Sequence, residues 1–190
     1  MNHLGTVPLE TDRLFLRPFA ISDAQAMFDN WASDPEVTRY LIWPTHTSIE
    51  VTQSVLSDWC SHYSENTFYQ WAIVPKSTYN APIGSISTVH IDESIQMVHI
   101  GYCIGRAWWR QGITSEALLR LLPFFFDEVG VQRIESRHDP RNPYSGAVMK
   151  KCGMKYEGTM RQADRNNQGI CDCSYYAILA SDYTTSADKQ

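Results

Sequence analysis

The stretch Trp108–Ala117, WWRQGITSEA, is a loop tipped by Gly112 that follows a strand-like run and leads straight into an amphipathic one. Such a strand–loop–helix unit needs a sheet for its helix to pack on. The stripe of Leu118, Leu121, Leu122, Phe125 and Val129 gives that helix one apolar face. A helix that opens without a charged side chain over its first turn also presents unpaired N–H groups and a partial positive charge, which suits a phosphate or pyrophosphate. The loop lacks the lysine and the glycine-rich spacing of a Walker loop. A phosphate-bearing cofactor is therefore expected here, and the neighbouring segments have to say which.

Those segments read as one domain over residues 1–183, with a short flexible tail at 184–190. In RLFLRPF, Leu14 and Leu16 alternate with polar or exposed positions, the period of a half-buried strand. A helix follows Ser22, whose hydroxyl is expected to cap it, and a second runs from Ser48 to about Tyr63 with Ile49, Val55, Leu56 and Trp59 at helical spacing. Three strand-like runs, FYQWAIVP, IGSISTVHI and MVHIGYCIG, are separated by the turns YNAP and DES and form an antiparallel meander. The chain then alternates helix, strand QRIESRH, helix, strand MKYEGTMR and strand CDCSYYAIL. Pro123 lies inside the helix after Gly112 and predicts a kink. Asn142, Pro143 and Gly153 mark the cap, first residue and stop of the next helix. The fold class is α/β of the α+β kind: a mixed, mostly antiparallel sheet of six or seven strands flanked by helices.

Composition narrows the partners. A net charge of -5 argues against a nucleic-acid surface, which needs clustered cations to displace counterions. No window approaches the roughly 20 apolar residues of a membrane span, and the first residues lack the pattern of a secretory leader. Five cysteines at 60, 103, 152, 171 and 173 show neither C-x-x-C nor metal-type spacing, so a reducing cytoplasm and no metal are expected. Oligomeric state, including a homodimer, stays open.

The order of elements, together with TDRLFLRPF, WWRQGITSEA and HDPRNPYSGAVMKKCGMKYEGTMR, resembles the GNAT superfamily of acetyl-CoA-dependent N-acetyltransferases, and within it the RimJ/RimL branch. The resemblance implies a sheet splayed beside the strand that precedes the loop, where Tyr102, Cys103 and Ile104 would bind the pantetheine arm as an added strand does. It implies that Arg110, Gln111, Gly112, Ile113, Thr114 and Ser115 wrap the pyrophosphate, with Asn142 as a further cofactor contact. Many relatives carry glycine where Arg110 stands. Many also have a tyrosine seven residues after the asparagine, and that position here is Met149, which has no proton to give. Ser145, matching a serine common in the branch, is the candidate donor to the leaving thiolate; a serine in the first turn of a helix also satisfies backbone N–H groups.

The acceptor amine has to be neutral to attack. At pH 7 a lysine amine costs roughly 4.6 kcal/mol to deprotonate and an α-amine about 1 to 1.4 kcal/mol. His99, where the branch often has Glu in E-I-G-Y, and Glu157, in a Y-E-G pattern, are the base candidates; structural roles compete for both, for Glu157 an ion pair with an arginine such as Arg161. Trp43, in the loop LIWPTH, is the candidate wall of an amine pocket through cation–π contact, while most of Trp31, Tyr40, Trp59, Tyr69 and Trp71 are expected in the core. The implied reaction is transfer of acetyl from acetyl-CoA to a primary amine, a protein N-terminus or a small molecule, by direct attack. An acyl-CoA-binding module with little or no catalysis is the alternative.

Overall fold

A computed structural model describes residues 1–78 and 81–183. The 184–190 tail, and the Tyr79 and Asn80 of the YNAP turn, lie outside the described residues. Among the described residues eight strands form one sheet: β1 (Leu9–Glu10), β2 (Leu14–Arg17), β3 (Gln70–Pro75), β4 (Gly84–Asp92), β5 (Met97–Ile104), β6 (Arg133–His138), β7 (Lys155–Asn166) and β8 (Gly169–Leu179). Their order is β1-β2-β3-β4-β5-β6-β8-β7, antiparallel throughout except for the parallel β5–β6 pair. Seven of the eight correspond to runs with strand periodicity. The eighth, β1, has two residues, too short to show any period.

Among the described residues five α-helices accompany the sheet: α1 (Ala24–Met27), α2 (Pro35–Thr38), α3 (Ile49–His62), α4 (Ile113–Pro123) and α5 (Pro143–Lys151). The main core holds Leu14, Leu16, Trp71, Ile86 and Ile100 of the sheet against Leu118, Leu121, Phe124 and Phe125. A second cluster, around Phe19, Met27, Trp31, Leu56 and Val74, fills the face under α1 and α3. Burial of such side chains contributes about 1.5–3 kcal/mol each.

Two local expectations change. Ser22 does not cap the first helix: it sits in a 3₁₀ turn, Ile21–Asp23, and Asp23 accepts from the Ala20 N–H at 2.8 Å. The carboxylate wins because it also pairs with Arg17 at 2.8 Å, and a charged acceptor forms the stronger bond. At Pro123 the helix widens instead of merely bending: α4 continues as a π-helical turn, Phe124–Val129, that ends at Gly130 with φ 81°. The Phe124 N–H bonds the Leu121 carbonyl at the junction, and Phe124 and Phe125 stay in the core.

Candidate active site

Strands β5 and β6 are paired only from Met97↔Arg133 to His99↔Glu135. Beyond that rung they separate, since β6 goes on pairing with β8 and β5 with β4. The Ser136 hydroxyl enters the opening and donates to the Ile100 carbonyl at 2.8 Å. Past it lies a groove of about 510 Å³, bounded by β5, the start of α4, the start of α5 and the segment Glu36–Leu41.

The β5 backbone presents alternate residues to this opening. A Cβ on Gly84 would stand 2.4 Å from the Cys103 carbonyl, so that carbonyl points to β4, and Gly105 N–H bonds Ile83 on the same side. The antiparallel alternation then turns Tyr102 and Ile104 toward the gap. The Ile104 carbonyl is taken by the Trp109 indole N–H at 2.9 Å. Tyr102 and the Ile104 N–H are the free strand edge, while Cys103 lines the groove without offering its backbone to it.

At the opening of α4, Gly112 adopts φ 75° and no side chain caps the first turn. Lys151 Nζ lies 3.3 Å from where a Gly112 Cβ would stand and the Arg13 guanidinium 3.8 Å from it. Arg13 also donates to the Gln111 carbonyl at 3.2 Å and pairs with Glu116 at 2.5 Å, which fixes the loop on the helix. Arg110 takes φ 62°, a left-handed conformation that favours glycine. Its guanidinium stacks on Tyr144, 4.7 Å from the ring centre, and donates to the hydroxyl at 2.5 Å. Ile113, Thr114 and Ser115 line the groove, but Gln111 turns away to donate to Ala107 at 2.8 Å. Open helix N–H groups ringed by Arg110, Lys151 and Arg13 fit the pyrophosphate of a CoA ester. Lys151 escaped sequence reading because it stands at the far end of α5 and reaches Gly112 only through helix packing.

Asn142 occupies the cap position of α5 but makes no capping hydrogen bond, so its amide is left to the groove it lines. Ser145, also in the groove wall, donates through Oγ to the Tyr102 hydroxyl at 3.2 Å, and that hydroxyl donates to the Ser145 carbonyl at 2.9 Å. Burial pushes the Tyr102 phenol well above its ordinary range. Met149 is fully buried. A phenol thus reaches the start of α5 from β5 instead of from the helix itself.

His99, with its side chain 8% exposed, stands on the last paired rung of β5 and β6. Its Nδ1 lies 3.0 Å from Glu135 Oε1, whose other oxygen accepts from Arg133 at 3.0 Å. The hydrogen bond from His99, reinforced by Arg133, holds Glu135 below the usual carboxylate range. Glu157 lies at the far end of this chain, 42% exposed, with both oxygens on Arg133 at 2.9 and 2.6 Å. Its partner is Arg133, not Arg161; Glu157 stands at the register shift between Tyr156 and Gly158. Trp43 is not in the groove wall: it packs on the second core cluster, its ring 5.4 Å from that of His46. Tyr40 and Leu41 line the groove in its place. Trp31, Tyr69 and Trp71 are core residues as expected.

The profile of the acetyltransferase (GNAT) domain matches residues 13–155. The protein is an N-acetyltransferase of the GNAT family. It is 32% identical over 171 residues to the uncharacterized N-acetyltransferase YoaA of Bacillus subtilis (strain 168), covering 90% of this chain and 96% of that one. It is 28% identical to the uncharacterized N-acetyltransferase p20 of Bacillus licheniformis, covering 92% and 97%. Among solved structures the GNAT fold aligns with RimL, a ribosomal L7/L12 alpha-N-protein acetyltransferase in complex with coenzyme A, at a TM-score of 0.82 and 22% identity over 93% of this chain and all of that one. Among the described residues no helix is long and apolar enough to cross a membrane.

Proposed function

We propose that this GNAT protein transfers the acetyl group of acetyl-CoA to a primary amine, a protein N-terminus or a small molecule, by direct attack in a ternary complex. The observation that carries the reading is the opening of β5 from β6 immediately after the His99–Glu135 rung, with the cation-ringed start of α4 at its mouth. Acetyl-CoA supplies the acyl group as a thioester. Tyr102 and Ile104 hold the pantetheine arm by their backbone, Asn142 by its amide, and Arg110 with the Gly112–Ser115 turn holds the phosphates.

His99 is the base in this scheme. Glu135, kept ionised, accepts a hydrogen bond from Nδ1–H, which leaves the Nε2 lone pair as the proton acceptor. Arg133 and Glu157 hold Glu135 in place, so Glu157 acts as a positioning residue through Arg133. Ser145, whose hydroxyl is free to rotate away from Tyr102, stabilises the departing thiolate. RimL, with its alpha-N-protein acceptor, favours an α-amine, which also needs the least help from a base.

A thiol-release assay over peptides, amino acids, polyamines and aminoglycosides tests the activity. Intact mass after mixing enzyme with acetyl-CoA alone tests the mechanism. Turnover of at least one amine class and an unmodified enzyme are expected. Tight acetyl-CoA binding with no turnover would leave an acyl-CoA-binding module, and a competent acetyl-cysteine at Cys103 would replace direct attack by a two-step route.

A further inference from the structure

We infer that Arg141 is a specificity residue for the acceptor, and that the amine accepted here carries a carboxylate in the same molecule; this rests on the acetyl-transfer reading above. The groove is charged against the trend of the chain. Net charge is -5 overall, yet the groove wall sets one carboxylate, Glu36, against Arg39, Arg110, Arg141 and Lys151. Arg110 and Lys151 stand at the start of α4, where phosphate belongs, and Arg39 lies 3.8 Å from Glu36. Arg141 is the cation of the groove that neither the phosphates nor an acid of the groove wall accounts for.

Its position is at the α2 end. Asp139, which holds Arg141, also accepts from Asn166 at 2.8 Å. The next residue, Asn167, bonds the Leu41 carbonyl through its N–H and the Thr38 and Trp43 carbonyls through its amide. The β7–β8 turn and the 38–43 segment therefore close around the side of the groove away from α4, and Arg141 faces it from the β6–α5 loop.

The guanidinium is built to stay still. Asp139 is 2% exposed and accepts from Nε at 3.0 Å through each oxygen, from Nη2 at 2.6 Å, and from the Arg141 N–H at 2.9 Å. Burial pushes the Asp139 carboxyl up, but the hydrogen bonds from Arg141 and Asn166 outweigh it and hold the acid at about 2. The pair is thus ionised through the neutral range. Arg141 Nη1 makes no hydrogen bond among the described residues, and the side chain is 52% exposed. A flexible surface arginine loses rotamer entropy when it binds, whereas this one has lost it on folding. Asp139 cancels its long-range field, so what remains is a directed N–H edge. A planar carboxylate fits that edge; a second cation does not.

The test compares matched acceptors in wild type and Arg141→Gln, with each acceptor's carboxylate present or masked as an amide. One arm uses free amino acids and their amides; the other uses peptides with Asp or Asn as second residue. Acceptor binding to the enzyme–CoA complex is measured by calorimetry beside the thiol-release KM. Wild type is expected to favour the carboxylate member of at least one arm by on the order of 10- to 100-fold, and R141Q to erase that ratio without changing acetyl-CoA affinity. The arm that responds identifies the source of the carboxylate. A ratio unchanged in R141Q, no preference in wild type, or a loss confined to acetyl-CoA affinity overturns the inference. Carboxylate-selective binding without acetyl transfer would sink the catalytic reading and leave Arg141 in its role.

Discussion

The two ends of β5 carry opposite kinds of polar cluster. At Met97–His99 the strand is still paired with β6, and His99 is shut into an ionic chain of Glu135, Arg133 and Glu157. At Tyr102–Ile104 the pairing has ended, and the neutral hydroxyls of Tyr102 and Ser145 meet beside an open groove. The first end is stiff and charged, which fixes one tautomer of one imidazole. The second is neutral and keeps a rotatable donor, which suits a site where negative charge develops only in the transition state.

If that division is right, the closed end carries the larger catalytic effect. His99→Ala is expected to lower kcat/KM by about 10²-fold while leaving acetyl-CoA affinity unchanged. Wild-type kcat/KM for this variant in thiol-release kinetics would place the base elsewhere. At the open end, Ser145→Ala and Tyr102→Phe are each expected to lower kcat by roughly 10-fold. The double variant should lose less than their product, because one hydrogen bond joins them. Strict multiplicativity in that cycle would separate the two hydroxyls.

The smallest signal is in stability against pH, and it has opposite signs at the two ends. Glu135 has a folded pKa lowered from about 4.5, chiefly by the His99 hydrogen bond. Its contribution is therefore complete above that pH and lost as pH falls below it. Tyr102 has a folded pKa raised from about 10 by burial, so its contribution is complete below that pH and lost as pH rises. Melting curves should show a flatter acid limb in Glu135→Gln and a flatter alkaline limb in Tyr102→Phe. Parallel profiles for variant and wild type at either end would contradict the ionic or the neutral description of that cluster.

Much of the fold was legible because periodicity is local. The seven longer strands, α3 with Ser48 at its cap and α5 between Asn142 and Gly153 all follow from spacing and end signals within a few residues. The site was legible in part for the same reason, since Gly112, Thr114, Ser115, Asn142 and Ser145 lie on continuous motifs and all line the groove. Contacts made across the fold were not. Nothing near Glu157 in sequence indicates Arg133, nothing near Gly112 indicates Lys151, and Trp43 sits in the expected segment with its ring turned to the core.

By itself the sequence determined the order of the seven longer strands and of α3, α4 and α5, and that a glycine precedes α4, because caps, periods and glycines act on their own neighbours. Only the tertiary structure decided which charges meet. It locked His99 onto Glu135, brought Tyr102 to Ser145 and set Arg141 on a buried Asp139 at the groove. Pairing energies depend on separations of a few ångströms and on exclusion of water, and both are fixed when distant segments pack.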